Sequence, residues 1–255
     1  MTNANPFAQR STLEYELPPF AQIKEEHYLP AFYEGCAEHL VEVQAILDTP
    51  GAATFENTIV ALEKSGQYLG RMMRVFYNKS SSDTNDALDT IEEEIAPKLA
   101  AHQDAISLNP VLFKRIQDLY DARESLGLNI EDAWLLERYY KDLLHKGAHL
   151  TESQRERLKE LNEELSSLQT QFSKNVLADT NDLAVLVDTA EELDGLSENQ
   201  IAAAKAAAID RGHDDKWLIG MVNFTGNPVL DALTNRELRK KIMEDSKLKA
   251  NRANE

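Results

Sequence analysis

LLHKGAHLTESQ, residues 143–154, places His145 and His149 four positions apart. On one continuous helix that spacing would set two imidazoles on one face, as in the metallopeptidase pattern H-E-x-x-H. In that pattern a glutamate follows the first histidine and serves as general base, whereas here the position holds Lys146, a cation. Gly147 lies between the histidines, and a glycine inside a helix costs about 1 kcal/mol relative to alanine. Leu143 to Lys146 followed by Gly147 read instead as a last helical turn with its left-handed cap, the basic groups sitting at the negative end of the helix dipole. Thr151-Glu152-Ser153-Gln154 reads as a capping box that opens another helix. The stretch is therefore expected to be a joint between two helices. A lone histidine pair would also leave zinc short of the three or four protein ligands it takes.

Working upstream from the joint, five helices are predicted. The first carries Leu29, Phe32, Cys36, Leu40, Val43 and Leu47, with Pro30 tolerated in its first turn, and stops at Pro50-Gly51. The second is a seam of Phe55, Ile59, Leu62, Gly66, Leu69, Met73 and Phe76, in which Gly66 would allow a neighbouring helix to approach. Met72, Met73 and Phe76 are read as packing residues rather than a cofactor pocket. After Ser80-Ser81-Ser82-Asp83, a third helix carries Leu88, Ile91, Ile95, Leu99 and Ile106, and Glu92-Glu93-Glu94 forms its solvated face. Asn109-Pro110 caps a fourth helix, closed near Gly127, and Asn129 opens a fifth that runs to Gly147.

Downstream, a sixth and longer helix follows Thr151, with Leu158, Leu161, Leu165, Leu168, Phe172 and Val176 on one side. Short connections between six successive helices imply an antiparallel bundle. After Thr180 the texture changes. Leu183–Val187 and Trp217–Val222 are short apolar runs that suit strands, and Ser197 opens an alanine-rich helix that stops near Gly212. Gly226-Asn227-Pro228 reads as a turn, and Thr234-Asn235-Arg236-Glu237 as another capping box. The expected fold is mainly α: a helical bundle over residues 1–180, then a small α+β segment with a short two-stranded sheet over 181–255. KLKANRANE supplies no apolar closing element, so a continuation past Glu255 is expected.

The net charge of −17 in 255 residues argues against a nucleic-acid partner, because so acidic a surface repels phosphate. The single cysteine, Cys36, excludes an intrachain disulfide and is expected to be a buried reduced thiol. No apolar run approaches the length of a membrane span, which makes a cytoplasmic setting the default. The sequons at Asn78 and Asn223 are read as chance occurrences.

Phosphate-binding loops, nucleophile elbows, C-x-x-C and H-E-x-x-H are all absent from the sequence. His27, His39, His102 and His213 fall in separate segments, and each reads as a surface or packed imidazole. His213-Asp214-Asp215 beside Gly212 reads as a solvated loop. Asn57, Asn78, Asn162 and Asn175 read as capping or interhelical hydrogen-bonding residues. The residues alone therefore describe an acidic helical domain with no visible active site.

Six stretches, in order, nonetheless resemble one family: LPPFAQIKEEHYLPAFYEG, TFENTIVALEKSGQYLGRMMRVFYN, DTNDALDTIEEEIAPKLAAHQDAISLN, ARESLGL, LKELNEELSSLQTQFSKNVL and DDKWLIGMVNFTGNP. Together, from about Asn5 to Arg239, they are similar to the bacterial peptidyl-dipeptidase branch of the thimet oligopeptidase-like zinc metallopeptidases. The oligopeptidase A branch shares LPPF but is less similar around residues 83–102. MEDSKLKANRANE matches less well, and the turn at HKGAH lacks these histidines in family members.

The resemblance implies a two-lobed helical enzyme that closes on a channel and uses zinc to release dipeptides from the C-termini of oligopeptides. The family's zinc ligands and catalytic glutamate lie in its C-terminal half, and none maps onto a residue here. This chain is therefore expected to be the N-terminal, substrate-channel half, with no catalytic or metal residue of its own and no activity alone. Its expected partners are oligopeptides and its own C-terminal catalytic region. The alternative is a free-standing helical module that binds peptides or proteins without catalysis.

Overall fold

A computed structural model describes residues 5–249, and its contacts divide the chain into two compact units that part after Leu168. In the first unit, α1 (Tyr28–Leu47) and α3 (Gln67–Ser82) bury their apolar faces against each other. Close approach is possible because Gly35 has no side chain: a Cβ there would lie 3.0 Å from the Leu69 Cα. Tyr28, Phe32, Met72, Phe76, Leu88 and Ile95 complete this core, the last two from α4 (Asp86–Ser107). Each such side chain stabilises the fold by roughly 1.5–3 kcal/mol on burial. Met72, Met73 and Phe76 are thus packing residues, as the sequence indicated.

The predicted second helix is not continuous. A π-helical turn (Phe55–Val60) leads into the short α2 (Ala61–Lys64), and the chain then breaks at Ser65-Gly66. Gly66 has φ +66°, a left-handed conformation that only glycine adopts at little cost. The apolar spacing continues across the break, but the two pieces enter different cores: Ile59 and Leu62 cluster with Leu112 and Leu136, whereas Leu69, Met73 and Phe76 cluster with Phe32 and Ile95. The role foreseen for Gly66, admitting a neighbouring helix, belongs to Gly35, and Gly66 instead makes room for the His39 ring.

α5 (Pro110–Asp121) and α6 (Ile130–His145) pack with the end of α1 around Val43, Ile46, Ile59, Leu112, Ile116 and Leu136. Their starts follow the local chemistry. The Asn109 side chain accepts from the Val111 and Leu112 amides, and that of Asn129 accepts from Asp132. The Thr54 and Asn57 side chains satisfy each other's backbone amides in the same way.

α7 (Glu152–Asp182) runs across the division between the units. In the second unit, β1 (Val185–Val187) pairs antiparallel with β2 (Trp217–Ile219), with Val185 opposite Ile219 and Val187 opposite Trp217. α8 (Glu198–Ile209), α9 (Asn223–Ala232) and α10 (Arg236–Ser246) surround a third core that includes Val187, Leu193, Ile219, Val229, Leu233 and Ile242. The mainly α class with a two-stranded sheet stands as expected.

Two details differ. Gly226-Asn227-Pro228 is not a turn but lies inside α9, where Val229 reaches the core, as does Leu233 just past the helix end, and their burial overrides the turn signal. The cap of α10 is Asn235, whose side chain accepts from the Leu238 amide, while Thr234 bonds the carboxylate of Asp194. The terminal ANRANE lies outside the described residues. Among the described residues no helix is long and apolar enough to cross a membrane.

Candidate functional site

The joint between α6 and α7 is built as its sequence indicated. Gly147 has φ +95°, its amide donates to Leu144, and the Ala148 amide donates back to Leu143. These two bonds close a Schellman cap and turn the chain away from the axis of α6. On the other side, the Thr151 amide and hydroxyl both donate to Gln154 Oε1, which opens α7. His145 therefore ends one helix and His149 lies in the reversal, both exposed. They do not form the face that a helical pair would.

Behind them is a cavity of about 520 Å³, lined by the two histidines and by Asp104, Ser107, Leu158 and Asn162. Asp104 and Ser107 are buried. Asn162 Nδ2 donates to both Asp104 oxygens, at 3.0 and 2.9 Å, and so ties α7 to α4. Asn162 is thus an interhelical hydrogen-bonder, one of the two roles its sequence context suggested. Ser107 Oγ is buried without a hydrogen-bond partner, and no base is bonded to it that could activate it as a nucleophile.

A second polar cluster joins residues that are far apart in sequence. His39 of α1 and His102 of α4, 63 residues apart, meet with Nδ1 of the first 3.0 Å from Nε2 of the second. The direction of the bonds follows from their surroundings. Ser65 Oγ donates to the Leu62 carbonyl at 2.8 Å, so it accepts from His39 Nε2 at 3.2 Å. His39 then carries its proton on Nε2, and its Nδ1 must accept from His102 Nε2. This leaves His102 Nδ1 a buried lone pair with no partner. Both rings are held neutral. Burial pushes the His102 imidazole down to about 4, with repulsion from His39 adding to the effect. Burial also lowers His39, opposed by the Glu42 carboxylate, whose Oε2 accepts from the Gly66 amide at 2.6 Å.

Sequence reading missed this pair because nothing local connects the two histidines. The Pro50-Gly51 break and the Gly66 turn bring α1 and α4 side by side only after the chain has folded.

The second unit has a cavity of about 400 Å³ lined mainly by apolar groups, among them Ala204, Ala207, Ile219, Met221 and Val229. At its edge the Arg211 guanidinium is held by the Asn181 carbonyl and side chain, at 2.8 and 3.1 Å. Cys36 is half-buried, and desolvation raises its thiol to about 11, which suppresses the reactive thiolate.

Among the described residues no three His, Cys, Asp or Glu side chains are grouped to hold a metal ion. The residues that come nearest do not fit zinc. His145 and His149 are parted by the Gly147 turn, and the lone pairs of the His39–His102 contact are already engaged or sealed from solvent. The geometry of these clusters holds helices together.

The chain has close relatives all the same. It is 39% identical over 242 residues, 95% of its length, to the dipeptidyl carboxypeptidase of Escherichia coli strain K12. To the dipeptidyl carboxypeptidase of Salmonella typhimurium it is 37% identical over 96% of its length. Oligopeptidase A of Salmonella typhimurium follows at 26% over 89% of the chain. No protein-family model matches. The chain spans only about a third of these relatives, 36% of each carboxypeptidase and 33% of the oligopeptidase. Similarity that covers almost every residue here, and ranks the two kinds of relative as the sequence motifs do, places the chain in the thimet oligopeptidase-like peptidase family, on its dipeptidyl carboxypeptidase side.

Proposed function

We propose that residues 1–255 are the N-terminal, substrate-channel part of a peptidase that removes dipeptides from the C-termini of oligopeptides. The observation that carries this reading is the identity of 37–39% with two dipeptidyl carboxypeptidases over at least 95% of the chain, against 26% with oligopeptidase A. Zinc and the groups that activate water belong, on this reading, to the part of the protein outside these residues. The described residues contribute, on this reading, the scaffold of the channel. A cytoplasmic setting is part of the same proposal and rests on the single, half-buried cysteine.

The test begins with the reading frame beyond Glu255, which is expected to continue for several hundred codons and to encode H-E-x-x-H. The longer protein should release C-terminal dipeptides from an N-blocked tetrapeptide and lose that activity to a chelator, with recovery on adding zinc. The 255-residue chain should do neither and should carry no stoichiometric zinc. A stop codon after Glu255, or activity from the short chain after rigorous purification, would overturn the proposal. In the first case a peptide- or protein-binding module takes its place.

A further inference from the structure

The helix that leaves the joint keeps its apolar face uncovered. Leu161, Leu165 and Leu168 follow one another at steps of four and three, which sets them within about 60° of one another around the axis. They are 43, 52 and 59% exposed. Of the 31 residues of α7 only Asp179 is buried, so nothing in its first half is sunk in a core. The Asn162 tie to Asp104 leaves the leucines uncovered, since they keep this exposure with that bond in place. An exposed apolar seam with this spacing has the pattern of a helix face made to be packed.

Two observations say what packs there. The relatives at 37–39% identity are nearly three times as long as this chain, which covers 36% of each. A second copy of the chain is disfavoured, because each copy carries a net charge of −17 and would repel the other. A segment of the same polypeptide is held near the seam at high effective concentration and needs no association from solution. We propose that the Leu161–Leu165–Leu168 face of α7 is the seat of an apolar element from the part of the polypeptide outside residues 1–255. This inference rests on the reading of the chain as one part of a longer peptidase.

Amide hydrogen exchange, followed by mass spectrometry on the peptide covering 158–168, tests it in the longer protein and in the 255-residue chain. The expected result is exchange at least about tenfold slower in the longer protein, with an α5 peptide exchanging alike in both. Leu165→Glu in the longer protein should return the α7 peptide to the fast rate and leave α5 unchanged, which separates loss of docking from loss of fold. Equal exchange of α7 in the two proteins overturns the proposal. So does a 255-residue chain that sediments as a dimer with α7 already protected, for then a second copy is the occupant. Dipeptide release is assayed on the same longer protein. Release with α7 unprotected overturns the docking alone, whereas a protected α7 without release upholds the docking and overturns the peptidase reading.

Discussion

α3 and α7 carry the same pattern and meet opposite fates. Leu69, Met73 and Phe76 on α3, and Leu161, Leu165 and Leu168 on α7, both run in steps of four and three. On α3 these residues are 6, 8 and 0% exposed, because α1 approaches closely over Gly35 and Leu88, Ile91 and Ile95 of α4 join the same cluster. On α7 they stand in solvent, and the first half of the helix is tied to α4 by a side-chain amide and a carboxylate. Hydrophobic periodicity states that a face will be buried wherever something can cover it. It does not state what the cover is, or whether it lies within the same 255 residues.

The largest effect is expected at the buried seam. Phe76→Ala should destabilise the chain by about 3–5 kcal/mol, read from the urea midpoint, through lost burial and the cavity left behind. A change under 1 kcal/mol would mean that the α1–α3 core is looser than its geometry.

The next effect comes from acid, through the histidines that join α1 to α4. The folded state holds His102 near 4, below its ordinary 6.5, so the folded chain binds fewer protons than the unfolded one between these values. The stabilisation from a neutral His102 is fully present above pH 6.5 and is lost as pH falls toward 4, a change of about 3 kcal/mol. Urea midpoints across that window, with the imidazole Cε1 proton followed by NMR, check both halves of the statement. A folded-state titration of His102 near 6.5 would refute it.

A smaller effect is expected where α7 meets α4. Asn162→Ala removes the donor to both oxygens of a buried carboxylate and should cost about 1–3 kcal/mol. The same substitution should accelerate amide exchange around residue 162 while leaving α3 protected. The smallest effect sharpens the contrast directly: Leu165→Ala in the 255-residue chain should shift stability by less than about 0.5 kcal/mol. A loss comparable to that of Phe76→Ala would place the α7 seam in a core after all.

What could be read in advance follows the range of the forces involved. The starts at Asn109, Asn129 and Ser197 and the stops at Gly147 and Gly212 were legible because a cap is made within four residues. Gly226-Asn227-Pro228 misled for the complementary reason: its local turn preference is small beside the burial of Val229 and Leu233. The second helix misled differently, since a seam that remains in phase across a left-handed glycine looks unbroken. The candidate site was the least legible part. The neighbours of His102 come from α1, and Asp104 meets an asparagine 58 residues away.

The helical class, most helix boundaries and the family were legible along the chain, because propensities, caps and ordered motifs are properties of neighbouring residues. Folding in three dimensions set the rest: His39 and His102 are hydrogen-bonded, His145 and His149 do not share a face, and of two apolar seams with the same spacing one is buried and the other open. Those outcomes depend on which surfaces come within a few ångströms of one another, and that distance is set by the packing of the whole unit.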